Sequence, residues 1–345
     1  MRVLASPYPE RDAANPFQNL LYKSMAGLGA TIEQFTSRRL ITGRWDVWHM
    51  HWPENVLCSK SKFVTTKLLV KFWCKLQVAH LKRIKIVWTV HNLRPHERRH
   101  PVLERIFWSF FLTNIDGIIC MSPSSRVELF KAHPIAGRLS TFIIQHGHYR
   151  DAYPNKISED KARKSLGIAP CERVMAFVGN IRAYKGIPEL IRRFQLARLE
   201  RARLIVAGRP SDVELAEEVC RAAAGNDNVQ LYLRFIDGGE LQNFFRAADL
   251  IVLPFIEILN SGSAILALSF DRPILVPAQG SLLDLQKLVG KEWVMLYEKE
   301  LTPTVLSEAL LWAATHRNPP RPSLEAFDWN EIGAATLRAL QIMVR

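Results

Sequence analysis

The chain has 345 residues, a formal net charge of +13, and 48% hydrophobic and 23% charged positions; this is the composition of a globular protein with a large core, and it excludes both a disordered chain and a small disulfide scaffold. Its five cysteines are scattered and form no C-x-x-C pair, which argues against a structural zinc site and suits a reducing compartment. The opening MRVLASPYPE does not read as a secretory leader and no run approaches 18 uncharged apolar residues, so a cytoplasmic chain without a membrane span is expected.

Short apolar runs in the first part of the chain read as strands, at 3–6, 46–52, 85–92, 116–122 and 141–147, with amphipathic segments between them. Strands alternating with helices imply a parallel sheet, in which ligands bind beyond the carboxyl ends of the strands. Those ends read WHMHWPE, HNLRPHE and IIQHGHYRD. Nine of the ten histidines fall within residues 49–148, and six of them form pairs at these ends: His49 and His51, His91 and His96, His146 and His148. Strand alternation puts both rings of a His-x-His on one face, an arrangement open to a structural hydrogen-bonded role, a zinc site or a shared polar site. Glu54 and Glu97 accompany two of the pairs. Glu54, Glu97, His51, His91 and His96 are all able to take a proton from a hydroxyl group, and the sequence does not rank them. The cationic neighbourhood should lower a carboxylate's pKa and keep it charged.

Residues 60–85 hold eight basic residues and no acidic one. Lys67, Lys71, Lys75 and Lys82 fall on one face of a helix over 67–82, with Leu69, Phe72, Trp73, Leu76 and Ala79 on much of the rest. The charge excess belongs to this half alone: residues 1–150 carry 22 Lys and Arg against 9 Asp and Glu, residues 151–345 carry 24 against 24. A basic, apolar helix in such a domain suits an anionic bilayer surface; the plainer reading is a solvated helix covering its own domain.

A polar, turn-forming stretch at 148–160 marks a boundary, dividing the chain into 1–150, 151–330 and a C-terminal helix at 331–345 that can pack back on the first domain. The second half repeats the alternation, with strands at 174–180, 202–210, 229–235, 249–255 and 272–277. Two turns stand out. GNIRAYKG (179–186) places Arg182 and Lys185 between a strand and a helix, a natural diphosphate site at a helix start. Asn260, Ser261, Gly262 and Ser263 open an apolar helix, where small residues let backbone N–H groups approach an anion and Ser also serves as a helix cap. Two similar α/β halves leave a cleft, the default ligand site.

Taken together, HMHWPE, TVHNLRPHE, QHGHYRD, IRAYKG and NSGSAILALSFDRPIL resemble the bacterial exopolysaccharide β-mannosyltransferases of the xanthan type. The resemblance implies a GT-B α/β fold, with two Rossmann-like domains whose parallel sheets face a central cleft. It implies an inverting, metal-independent transfer without a cofactor, from a nucleotide-sugar donor, GDP-mannose, to a polyprenyl-diphosphate-linked oligosaccharide. On it, Arg182 and Lys185 hold the donor diphosphate, Asn260 to Ser263 lie near the donor phosphates and ribose, and His91 faces the transferred sugar. It places the chain on the inner face of the plasma membrane, docked through helix 67–82, with no nucleic-acid partner. Many retaining relatives carry two glutamates eight residues apart; here Glu257 is followed at that spacing by Ile265, with Leu266 where the second is expected, which favours inversion. A UDP-sugar donor, a basic nucleic-acid-binding protein and a non-catalytic sugar-nucleotide sensor are the competing readings.

Overall fold

The computed structural model describes residues 1–7, 15–95, 99–315 and 321–345. They divide into two compact units, Met1–Gly147 with Phe327–Arg345, and His148–Ala326. In chain order the elements are β1 (Arg2–Ser6), α1 (Phe17–Gly27), β2 (Thr31–Gln34), α2 (Ser37–Thr42), β3 (Val47–His51), α3 (Lys62–Leu81), β4 (Lys85–Thr89), α4 (Pro101–Thr113), β5 (Gly117–Cys120), α5 (Pro123–Ala132) and β6 (Ser140–Ile143). There follow α6 (Glu159–Ser165), β7 (Arg173–Val178), α7 (Ile187–Ala197), β8 (Ala202–Ala207), α8 (Val213–Ala223), β9 (Val229–Tyr232), α9 (Leu241–Ala247), β10 (Leu250–Val252), α10 (Gly262–Ser269), β11 (Ile274–Pro277), α11 (Ser281–Val289), β12 (Val294–Tyr297), α12 (Pro303–Ala314) and α13 (Trp329–Val344).

Each unit holds one six-stranded parallel sheet, ordered β2-β1-β3-β4-β5-β6 in the first and β12-β11-β10-β7-β8-β9 in the second. In both, the strand order reverses once, between β1 and β3 and between β7 and β10, and such reversals are where open α/β sheets bind ligands.

Alternation along β3 assigns its side chains to two different layers. Val47 shares its face with Val3, Ala5, Val87 and Ile119 under α1, and α13 closes that layer with Ile332, Leu337, Leu340 and Met343. Trp48 points the other way, against Phe72 of α3, and Trp88 meets Trp108 and Phe111 of α4. Each fully buried apolar side chain contributes about 1.5–3 kcal/mol, so the four from α13 are a large share of the first unit's stability. Gly333 lets α13 cross close to α1, since a Cβ there would strike the Ser24 side chain.

The chain leaves the first unit at Gly147 and re-enters it at Phe327. The sequence reading did not mark β2 as a strand: its four residues, Thr-Ile-Glu-Gln, form a short edge with no buried face. Helix α3 starts at Lys62 rather than 67, because the Ser61 hydroxyl caps it by accepting from the Val64 N–H at 3.4 Å.

Candidate active site

In the first unit the β3 and β4 ends build a buried cluster of histidines. His49 and His51 project from one face of β3 towards α1, and β3 pairs with β4 so that His51 lies opposite Thr89. Tyr22 of α1 reaches down between the two rings: its hydroxyl lies 3.1 Å from His49 Nδ1 and 2.9 Å from His51 Nε2. His49 Nε2 is 2.7 Å from the Thr89 hydroxyl, and His51 Nδ1 is 2.7 Å from His91 Nε2. Phe17 presents its ring edge to His51 and His91, and Trp52 stacks on His91 with ring centres 4.0 Å apart. Trp52 takes up a left-handed backbone conformation to do so, with φ 49°, which is a strained setting for a bulky residue.

Burial keeps these rings neutral. It holds His49 down at about 3. It also takes His51 well below the ordinary histidine value, helped by the mutual repulsion that protonation beside His49 and His91 would bring. His91 keeps part of its surface in solvent, yet desolvation, then His146 and His49, take it well below the ordinary value too. Among the described residues no three His, Cys, Asp or Glu side chains are placed to hold a metal ion. The rings bond instead to one another, to Tyr22 and to Thr89.

Glu54 sits just past this cluster, in a 3-10 turn over Pro53–Leu57, and is 2% exposed. Asn92 Nδ2 donates to its Oε1 at 3.0 Å. Its Oε2 is buried and meets no hydrogen-bond partner among the described residues. Burial outweighs the Asn92 bond and pushes the carboxyl up to about 7. The expectation that cationic surroundings would keep Glu54 strongly ionised is therefore overturned: desolvation acts at the group itself, whereas the basic residues lie on the solvated outside, where water screens them. Glu97 and His96 lie outside the described residues. His146 belongs to the first unit, its ring centre 4.7 Å from that of Phe17, and His148 to the second.

In the second unit the cations and the helix start meet. Arg182 begins, and Lys185 ends, a short 3-10 turn over Ala183–Lys185 that leads into α7. Lys185 is 6% exposed, its Nζ lies over the Phe177 ring, and burial followed by the Arg182 charge lowers it to about 8. A Cβ built on Gly179 would lie 3.6 Å from both Lys185 Nζ and Ser263 Oγ, so these two groups border one small space beside bare backbone. Gly208 is required there, since a side chain would strike the Gly179 carbonyl. Ser261 caps α10 by accepting from the Ala264 N–H at 3.0 Å. Gly262 and Ser263 form the first turn of that helix, whose leading N–H groups have no intrahelical partner, and Asn260 precedes the cap. Gly186, which follows Lys185, lines a cavity of about 540 Å³ that runs between Leu190, Phe255 and Tyr297. Glu257 is exposed and α10 holds no acidic residue.

The structure thus brings together His51, His91 and Glu54 in one unit, and Lys185 with Ser263 in the other. The sequence reading missed Tyr22, Thr89, Asn92 and Trp52. A tyrosine on the buried stripe of α1, beside Gln18, Leu21 and Met25, was a usable signal, because a buried phenol needs a polar partner.

Helix α3 departs from its expected basic face. Lys82 lies at its C-cap and donates to the carbonyls of Leu40, Ile41 and Gly43, and Lys75 is held over the Phe35 ring. These two ammonium groups are engaged by their own unit. Lys62, Lys67 and Lys71 stay exposed, together with Phe63 (77%), Val70 and Trp73. Trp73 meets Phe110 of α4 at 5.4 Å, and α4 adds exposed Val102 and Ile106. Among the described residues no helix is long and apolar enough to cross a membrane.

Residues 158–266, which include the Lys185 turn and the start of α10, match the family model for glycosyl transferases group 1. GDP-mannose:glycolipid 4-beta-D-mannosyltransferases of Xanthomonas campestris pathovar campestris are 31% and 30% identical over 337 residues, covering 96% of this chain and 89% of each of theirs. Among solved structures, sucrose-phosphate synthase of Thermosynechococcus elongatus superposes with a TM-score of 0.66 at 14% identity, over 100% of this chain and 94% of the other. HepE of Anabaena, in complex with UDP-glucose, does so with a TM-score of 0.64 at 15% identity, over 99% and 98%.

Proposed function

Because the chain belongs to the GT-B glycosyltransferases, in the family of the Xanthomonas mannosyltransferases, we propose that it transfers mannose from GDP-mannose, with inversion and without a metal ion, onto a lipid-linked oligosaccharide during exopolysaccharide synthesis. The observation that carries the chemistry is Glu54. It is a buried carboxylate with one unsatisfied oxygen and a pKa of about 7, next to the strand-end histidines. A group poised there takes a proton from a hydroxyl at physiological pH. The acceptor oxygen attacks the anomeric carbon from the face opposite the phosphate, the bond from that carbon to the phosphate oxygen breaks, and the hydroxyl proton goes to Glu54. The sugar changes hands in one displacement, so inversion follows. The absence of a glutamate pair around α10 supports the same outcome.

The leaving diphosphate gains negative charge as the bond breaks. Lys185, Arg182 and the first turn of α10 are the groups that answer it, which is the work a divalent cation does elsewhere. The acceptor's lipid would hold the enzyme at an anionic leaflet, the inner face of the plasma membrane. Exposed Phe63, Val70 and Trp73 interleaved with Lys62, Lys67 and Lys71 on α3 suit that surface.

The test is transfer of labelled sugar to a polyprenyl-diphosphate oligosaccharide in the presence of EDTA, with GDP-mannose and UDP-glucose compared and the anomeric configuration of the product read by NMR. A β-linked mannoside formed from GDP-mannose alone is expected. Transfer only from UDP-glucose sinks the donor assignment, an α-linked product sinks inversion, and loss of activity in EDTA sinks metal independence.

A further inference from the structure

Between β10 and α10 the chain runs through residues 253–260 without forming helix or strand. This segment leads to the Ser261 cap and the first turn of α10, and so to Ser263, whose hydroxyl borders the same small space as Lys185 Nζ. Where the segment lies therefore decides how the start of α10 stands to Lys185.

Packing holds the segment unevenly. Leu253 and Phe255 are buried, but Ile256 is 64% exposed, and Pro254, Phe255 and Ile256 line the cavity of about 540 Å³. Atoms that face a void lack the dispersion contacts that fix a close-packed group. Hydrogen bonds supply what packing does not. The Ile256 N–H donates to the carbonyl of Tyr184, one residue before Lys185, at 2.8 Å. From the other side Gln279, two residues past β11, donates through Nε2 to the Phe255 carbonyl at 2.9 Å and to the Ile256 carbonyl at 3.4 Å. The Ser281 N–H adds a bond to the Leu259 carbonyl at 3.4 Å. Ile256 is thus gripped from two directions, its N–H by the Lys185 turn and its C=O by Gln279. Both acceptors of Gln279 are carbonyls, so the amide must turn its NH2 to them. This tie is made by a side chain and can be removed without touching the backbone.

Phosphate oxygens are held by donors at about 2.7–2.9 Å, and a displacement of about 1 Å is enough to loosen such a site. On the reading of Lys185, Arg182 and the first turn of α10 as the diphosphate site, we infer that Gln279 is a positioning residue for it: by clamping residues 253–260 to the Lys185 turn, it holds the start of α10 against Lys185. It acts through the segment and not as a phosphate ligand.

The experiment is calorimetric titration of the full chain with pyrophosphate and with GDP, alongside the transfer assay. Gln279→Met keeps the length of the side chain and removes its donor. Affinity for both ligands should fall about three- to tenfold, the worth of one hydrogen bond, and the donor KM should rise by the same factor while the acceptor KM stays where it was. Ser263→Ala and the double variant Ser263→Ala/Gln279→Met close a cycle. If Gln279 works by placing the α10 start, its loss costs less affinity in the Ser263→Ala background than in wild type. A residue that only stabilises the fold lowers the melting temperature and leaves the affinities alone. Gln279→Asn keeps the amide one carbon short of its carbonyls and should lose about threefold; it decides the point if Gln279→Met does not fold. Unchanged affinities in the folded variant, or equal losses in the two backgrounds, overturn the proposal. Wild type that binds pyrophosphate and GDP but transfers no sugar leaves the role of Gln279 standing and sinks the transferase reading. Wild type that binds neither ligand sinks the diphosphate site and the proposal with it.

Discussion

The two units place their positive charge in opposite locations. Residues 1–150 carry the whole excess of +13, yet the strand-end site of the first unit is built from neutral imidazoles, a phenol and a half-protonated carboxyl. Its lysines stand outside, on α3. The second half of the chain has no net charge, yet it buries an ammonium with a guanidinium next to it. The net charge of a domain therefore says what its surface meets, and burial says what its site can do. One sheet topology serves both: on the proposed reading the first unit accepts a proton, and the second receives a diphosphate.

The largest effect should come from the neutral side. Glu54→Gln keeps the size and the Asn92 contact while removing the base, so kcat should fall by about 10²–10⁴-fold with donor affinity unchanged. Turnover near wild type in a folded variant would remove Glu54 as base and return attention to Glu97. The outer charge comes next. Each lysine near an anionic surface contributes about 1 kcal/mol, so replacing Lys62, Lys67 and Lys71 by Glu should weaken binding to phosphatidylserine-containing liposomes by about two orders of magnitude or more. Sedimentation with vesicles measures this, and wild type that stays in the supernatant at low salt rules the surface out. Replacing Lys75 and Lys82 instead should have a much smaller effect, because both are engaged within their own unit.

Lys185→Ala should weaken the donor's calorimetric affinity by about 10–100-fold, the worth of a charge-assisted bond to phosphate. The two pKa values also predict opposite limbs in one profile. The base is competent once Glu54 has lost its proton, so kcat/KM should rise with pH up to about 7. The diphosphate is held while Lys185 keeps its proton, so donor affinity should decline above about 8. Glu54→Gln should abolish the first limb and Lys185→Ala the second. If either substitution moves the other's limb, the division of labour between the units is wrong.

The smallest effect is on stability. The Glu54 carboxyl is raised from about 4.5 to about 7 on folding. Its contribution is present below 4.5 and is lost as pH rises through 7, a difference of about 3 kcal/mol at the conversion of 1.36 kcal/mol per pKa unit. Relative to wild type, Glu54→Gln should therefore gain stability between pH 5 and 8, read from urea midpoints at each pH. The histidines act in the opposite sense, losing stability as pH falls below 6.5, and they do so equally in both proteins.

The alternation of strands and helices, the polar strand ends and the turns that open α7 and α10 were legible in the sequence because they are local: period, glycine position and cap chemistry sit within ten residues. What was not legible depended on distance or on burial. Tyr22 joins His49 and His51 from 27 and 29 positions away, and no periodicity announces that pairing. Lys75 and Lys82 matched the basic stripe by spacing, but Phe35 and the carbonyls at the end of α2 had claimed them. The raised pKa of Glu54 was misjudged because the sequence shows which charges are near in the chain, whereas the site responds to how much water is excluded from it.

The route of the backbone has a consequence for how the enzyme is born. Helix α13 follows the whole of the second unit in the chain, yet it covers the same sheet face as α1, and its Trp329 ring meets Phe17, whose own ring rests on His51 and His91. A nascent chain emerging from the ribosome can complete the second unit from contiguous residues, but the first must wait for its final segment. Until α13 has been made, the histidine face is uncovered and its apolar layer is open to water.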